Sequence, residues 1–391
     1  MPGIANKYFR LPASAPTVQF MTFAPDGFAL GVFRRPPAGP GDTRPGDIRP
    51  GDTGPGDTAD GDVFTGLVRG DRVRDISALG TVNDLLADWG NSLSQLAALA
   101  AENADHADHA GVWTDLAALD VRCPVTPRQI LQVGANYRKH VIDIVMAERR
   151  ADQSVTGHNS DLPESEVRAW AEAMMDDRAA AGRPYVFTGL PSALTGPYDE
   201  IVLPDRGENH DWELELAAVI GKPARSLTKE NALEHVAGYT IANDITTRSL
   251  VYRRDLKAIG SDWFAAKNSP TFLPAGPFLV PATFVGDPAS LRITLKHNGV
   301  TRQDESCADM LFDLPAILAY ITEVTELGPG DLVLTGSPAG NGAHWGVFLA
   351  EGAVLEGEIT GLGRQVNHCV RKHRARTTSS KERLTRNAMT P

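Results

Sequence analysis

The chain has 391 residues, a formal net charge of −11 and a hydrophobic content of 42%. That length holds one large core with a smaller unit beside it, and the acidic balance argues against nucleic acid as the main partner, since a phosphate-binding surface needs a basic excess. The three cysteines, Cys123, Cys307 and Cys369, are far apart and form no Cys-x-x-Cys, so neither a disulfide framework nor a zinc site is expected.

Along the chain, Phe20 to Phe33 reads as a β-hairpin turning at Pro25-Asp26-Gly27. A Pro-Gly-Asp repeat follows, PGDTRPGDIRPGDTGPGDTADGD, over about 38–62. Proline and glycine every few residues forbid both helix and ladder, so a disordered surface loop is expected. Its five-residue period is not the nine-residue period of calcium-binding repeats. Val63 to Ile76 reads as a second hairpin turning at Gly70-Asp71, and Thr81 to Glu102 has helical periodicity with Leu85, Leu86, Trp89, Leu93 and Leu96 on one side. Residues 1–120 are therefore expected to form a small N-terminal α+β domain without chemistry of its own.

A larger domain is expected over 121–370. It carries a helical insertion at about 148–183, whose helix PESEVRAWAEAMMDDRAAAG is punctuated by Pro163 and Gly182. From Tyr185 to Val370 short β-rich runs alternate with Gly and Pro turns, the pattern of a folded-over mixed sheet rather than a doubly wound one. The fold class is thus α+β, a mixed β-sandwich roll. Residues 371–391 form a basic tail without periodicity, expected to be disordered. With no Sec-type leader and no apolar run long enough to span a bilayer, a soluble cytoplasmic protein without membrane partners is expected.

The chemistry concentrates in Asp211-Trp212-Glu213-Leu214-Glu215-Leu216. Residues two apart on a strand share a face, so Glu213 and Glu215 point one way and Leu214 and Leu216 the other. An alternating strand with a solvated acidic face explains that segment alone. A second segment, Gly238-Tyr-Thr-Ile-Ala-Asn-Asp244, is an apolar strand ending in a carboxylate. Two inward acids beside an apolar run, with a third at a neighbouring strand end, call for a cation or a proton. An all-oxygen set of this kind suits Mg²⁺ or Mn²⁺ better than zinc.

DWELELAAVIGKPAR followed by GYTIANDITTR resembles the core signature of the fumarylacetoacetate hydrolase family. ILQVGANYRKHVID, GSDWFAAKNSPTFLPAGPFLV, GVTRQDESCADMLFDLP and LGPGDLVLTGSPAGNG resemble further family elements in the family's order, over about residues 127–370. The resemblance implies that Glu213, Glu215 and Asp244 ligate Mg²⁺ or Mn²⁺, with waters completing the shell. A His–Glu pair of the family maps onto His140 and Asp143, three apart and so on one helix face; a carboxylate beside a histidine suits a general base. Lys267 matches a lysine that would stabilise enolate charge or donate a proton. Tyr137, Arg248, Gln303 and Thr335 match positions at the substrate. Arg248 has two readings, a substrate carboxylate or an ion pair with a metal-binding acid. Four departures stand out: Asp143 replaces a Glu, Asn268-Ser269-Pro270 replaces Ser-Phe, Val251 replaces a Gln of the longer-chain hydrolases, and no fourth carboxylate matches.

The implied activity is C–C bond hydrolysis in a small β-diketo acid or acylpyruvate, as in aromatic catabolism, by a homodimer. The same site would serve a 2-oxo-enoate hydratase or isomerase, or an oxaloacetate-type decarboxylase. A non-catalytic small-molecule-binding protein is a further alternative.

Overall fold

The computed structural model describes residues 27–36, 62–102, 113–150, 162–253, 255 and 260–371, with the backbone alone at 148 and 150. The first arm of the expected Phe20–Phe33 hairpin, the Pro-Gly-Asp repeat up to residue 61 and the tail beyond residue 371 lie outside these.

Strand Ala29–Arg34 pairs antiparallel with Val63–Arg69, which turns at Gly70-Asp71 into Arg72–Asp75. Gly70 sits at φ 58°, a conformation glycine adopts without steric cost. Trp113–Asp115 and Asp120–Arg122 complete a five-stranded sheet. The helical stretch after Thr81 is two helices, Val82–Ala87 and Trp89–Ala101, broken at Asp88. Thr81 accepts the Asp84 amide while the Asp84 carboxylate accepts the Thr81 amide, a reciprocal cap.

The main body is a mixed six-stranded sheet, in the order Val280–Pro281, Val236–Asn243, Leu214–Ile220, Leu332–Leu334, Ile130–Gly134 and Tyr185–Gly189. Only the Leu332–Leu334 and Ile130–Gly134 neighbours run parallel. A second sheet of five strands includes Arg292–His297, Val300–Ser306, Val354–Ile359 and Gly363–Val370. This is the α+β mixed architecture read from the sequence.

Strand Leu214–Ile220 is buried throughout. Leu214, Leu216, Ala218 and Ile220 share a core with Ile293, Leu295, Leu355 and Ile359 of the second sheet. Ala217 and Val219 share another with Phe28, Leu30, Leu86 and Leu96 of the N-terminal layer. Burial on both sides explains why the run after Glu215 is continuously apolar rather than alternating. Each large side chain so buried contributes about 1.5–3 kcal/mol.

Helices Arg138–Arg150 and Glu164–Ala181 pack through Val141, Ile142, Val145 and Met146 against Val167, Ala171 and Met175. Pro163 and Gly182 flank the second helix as expected. Arg178 donates to the Ala135 carbonyl at 2.8 Å, tying that helix to the turn from which the first begins. Among the described residues no helix is long and apolar enough to cross a membrane.

Candidate metal centre

The acidic pattern meets the fold at the mouth of two paired strands. Leu214 is in register with Asn243, and the Asp244 amide donates to the Glu213 carbonyl at 2.9 Å. Side-chain oxygens of Glu213, Glu215 and Asp244 thereby come within 4.8 Å of one another. All three residues are buried, with exposures of 6%, 2% and 1%, so water cannot screen their repulsion.

Two cations answer them in part, one buried and one partly buried. Lys267, at the end of helix Trp263–Lys267, reaches Glu213 Oε2 at 2.6 Å and Thr246 Oγ1 at 2.9 Å, and makes a short contact with Asp244 Oδ2. Arg248 spans two acids, donating to Glu213 Oε1 at 2.6 Å and to Asp211 Oδ2 at 2.8 Å. Glu215 has the Gly336 amide, donating to Oε2 at 2.8 Å. Gly336 needs φ 94°, and a Cβ there would stand 2.9 Å from the Val133 carbonyl oxygen, so only glycine brings its N–H so close.

Burial pushes Glu213 up, but Lys267, Arg248 and His140 outweigh it and hold its carboxyl well below the usual range. Burial, then Asp244 and Glu213, drive Glu215 well above it. Asp244 is pushed up to about 6 by burial, although Lys267 opposes this. Four buried carboxylates, Asp211 included, thus face two cations, the buried Lys267 and the partly buried Arg248. If all are ionised, the deficit is two positive charges, which a divalent ion supplies. Asp244 Oδ1 is buried without a hydrogen-bond partner, and the three-residue cluster offers only carboxylate oxygens. The donor set fits Mg²⁺ or Mn²⁺.

His140 stands beside this cluster, its Nε2 3.9 Å from Glu213 Oε1. Burial lowers its pKa to about 4; Glu213 opposes the shift, and Arg248 and Lys267 add to it. The imidazole is therefore neutral near pH 7 and able to accept a proton. Its expected partner is placed differently. Asp143 extends to His344, whose Nδ1 lies 3.2 Å from Oδ2. The carboxylate recorded beside His140 is that of Glu213. A shared helix face put Asp143 near His140, but a turn far along the chain supplies Asp143 with a partner.

The expected substrate positions also divide. Arg248 takes the second of its two readings, the ion pair with Glu213. Gln303 is fully buried and its amide is spent within the protein: Oε1 accepts the Leu214 amide and Nε2 donates to Ser337 Oγ and the Pro338 carbonyl. Thr335 is fully buried and donates to the Leu216 carbonyl. Tyr137 is fully buried as well, and burial raises its hydroxyl pKa. Gln303 and Thr335 thus brace the strands and turn behind the acids, whereas the buried Tyr137 hydroxyl has no hydrogen-bond partner among the described residues. Asp211, Asn341 and His344 were missed as contributors. For Asp211 the signal was present, two residues before Glu213 on the same alternation; for the turn residues there was none.

The family profile described as fumarylacetoacetate (FAA) hydrolase C-terminal matches residues 129–370. Fumarylacetoacetate hydrolase domain-containing protein 2 of Pongo abelii is 33% identical over 275 residues, 66% of this chain and 83% of that protein. The mitochondrial oxaloacetate tautomerase FAHD2B of Homo sapiens is 38% identical over 189 residues, 48% of this chain and 59% of that protein. Among solved structures, maleylpyruvate hydrolase from Sphingobium sp. SYK-6, in complex with manganese(II) and pyruvate, aligns with a TM-score of 0.57 at 26% identity, covering 79% of this chain and 97% of that one.

Proposed function

The chain belongs to the fumarylacetoacetate hydrolase family, and on that premise we propose that it is a Mg²⁺- or Mn²⁺-dependent enzyme cleaving a C–C bond in a small acylpyruvate or β-diketo acid through an enolate. One observation carries this reading: three buried carboxylates gathered within 4.8 Å of one another, with the His140 imidazole 3.9 Å from one of them. Glu213, Glu215 and Asp244 would hold the ion. Held there, such an ion would supply Lewis-acid polarisation of a 2-oxo acid.

The chain's own residues supply the rest. Neutral His140 takes a proton from water, and the resulting oxygen nucleophile adds to the distal carbonyl. The C–C bond then breaks, and its electron pair passes to the pyruvate carbon as an enolate. His140 then gives the proton it took from water to the enolate carbon, which restores the base, while Lys267 stays on Glu213 and Asp244 and keeps them aimed. Arg248 keeps Glu213 ionised and aimed. A homodimer belongs to the same reading and is checked by light scattering.

A second reading, keto–enol tautomerisation of an oxaloacetate-type acid, is favoured by the pairing of Asp143 with His344. Moving a proton on and off carbon needs one base and a polarised carbonyl, and does not need an acid dedicated to His140. A panel of acylpyruvates and oxaloacetate, followed by the ultraviolet band of their enols with and without Mn²⁺, separates the two. Pyruvate release supports hydrolysis, and enol decay without fragments supports tautomerisation. Metal-independent rates, or no turnover of any member, would refute both.

A further inference from the structure

Asp211 is fully buried, and each of its carboxylate oxygens accepts hydrogen bonds from two donors. Oδ1 takes the Trp212 amide at 2.8 Å and the Gly342 amide at 2.5 Å; Oδ2 takes the Ala343 amide at 3.1 Å and Arg248 Nε at 2.8 Å. With its lone pairs so occupied, it stands outside the cluster of Glu213, Glu215 and Asp244 despite lying two residues from Glu213.

What it touches is informative. Through Arg248 it shares one guanidinium with Glu213. Through Gly342 and Ala343 it holds the turn that begins at Asn341. Asn341 Nδ2 donates to the Trp212 carbonyl at 2.8 Å and to Ser337 Oγ at 3.1 Å, and the helical turn Gly342–Trp345 that follows packs against the helix bearing His140. The fit is close: a Cβ on Gly342 would stand 2.6 Å from Asp211 Oδ1 and 2.2 Å from the Val347 carbonyl oxygen. One carboxylate thus joins the acid-bearing strand, its arginine and the turn beside the base.

We propose that Asp211 is a positioning residue that sets the divalent-ion affinity of the acidic cluster by holding Arg248 in shared custody with Glu213. With its carboxylate charge, Asp211 engages the guanidinium at Nε and draws part of Arg248's pull away from Glu213. Without that charge, Arg248 bears on Glu213 alone, fixes its oxygen and opposes an incoming cation. The inference rests on the metal reading above and is tested by binding rather than by turnover.

Mn²⁺ titration by calorimetry compares the parent with Asp211→Asn, Asp211→Glu, Arg248→Met and Asp211→Asn/Arg248→Met. Asp211→Asn is expected to raise Kd by on the order of tenfold, and Asp211→Glu, which keeps the charge, by about threefold or less. With Arg248 already removed, Asp211→Asn is expected to change Kd by about twofold or less, because the residue acts through that arginine. An equal loss in both backgrounds, or none in either, overturns the proposal. Should Asp211→Asn fail to fold alone, Arg248→Met and the double variant, which leave no unmatched guanidinium, carry the test: equal Kd values support the proposal and a further loss in the double variant overturns it. A parent that binds no Mn²⁺ overturns the metal reading itself, whereas parental binding indifferent to Asp211 overturns this inference alone.

Discussion

The N-terminal sheet and the acidic cluster both pair arginine or lysine with carboxylates, at similar distances and with opposite consequences. Arg34–Asp120, Arg35–Asp75, Arg72–Asp115 and Arg74–Glu102 lie at 2.5–2.8 Å, but their acids are one-third to two-thirds exposed. Water screens such pairs, and each contributes about 0–1 kcal/mol. Lys267 and Arg248 meet Glu213 at the same 2.6 Å with the carboxylate side chain 8% exposed. There, removal of one partner leaves a charge with nothing to solvate it. Distance alone does not rank these contacts; desolvation does.

The largest test of that contrast is Asp244→Asn or Glu215→Gln. Each removes one of the three clustered carboxylates while preserving shape. Mn²⁺ affinity is expected to fall by on the order of a hundredfold or more, measured by calorimetry on variants whose circular dichroism matches the parent. Affinity within a few-fold of the parent would remove the carboxylate cluster from metal binding.

Lys267→Met comes next and moves two observables in opposite directions. The metal-free protein should lose about 3–5 kcal/mol of stability, because Glu213 and Asp244 lose their ammonium. Mn²⁺ should then raise the variant's melting temperature more than the parent's, since the ion replaces the missing charge. Equal shifts in the two proteins would show that Lys267 does not share the cluster's charge balance.

A pH series sharpens the same point. In the metal-free fold Asp244 is pushed up to about 6, above its usual 3.8. The folded chain therefore keeps a proton between about 4 and 6 that the unfolded chain has lost. The stability tied to that proton is complete below about 4 and gone above about 6. Mn²⁺ must displace the proton, so its stabilising shift should grow as pH rises through about 6, and grow further while Glu215, also held above the usual range, keeps its own proton. A shift independent of pH over that window contradicts the placement of Asp244 in the cluster. The smallest effect belongs to Arg72→Ala on the outer sheet, expected within about 0.5–1 kcal/mol of the parent by urea unfolding. A larger loss would erase the contrast between the two regions.

The acids were legible in the sequence because their geometry is local. Period-two alternation fixes Glu213 with Glu215, and the end of an apolar strand marks Asp244. The hairpin at Gly70-Asp71 and the helix between Pro163 and Gly182 were legible for the same reason. Partners from distant segments were not. His344 meets Asp143, and the turn at Gly342 meets Asp211, only after the sheet has closed. Gln303 and Thr335 show the converse: a motif marks a residue near the site, but not the hydrogen bonds to strand and turn that it makes there. The break at Asp88 was hidden because Leu85, Leu86, Trp89 and Leu93 keep helical spacing across it.

The bond pair between Leu30 and Leu279, 2.9 and 2.8 Å, fastens strand Ala29–Arg34 beside the outermost strand of the main sheet. Phe28 and Leu30 there help bury the back of the very strand that carries Glu215. A shortened chain starting after residue 120 would bare Ala217, Val219, Leu332 and Leu334 and leave the Leu279 backbone seeking another strand. Such a truncate should clump on expression, however complete its acidic residues. The segment that looked dispensable for chemistry is the backing plate on which the acid-bearing strand is mounted.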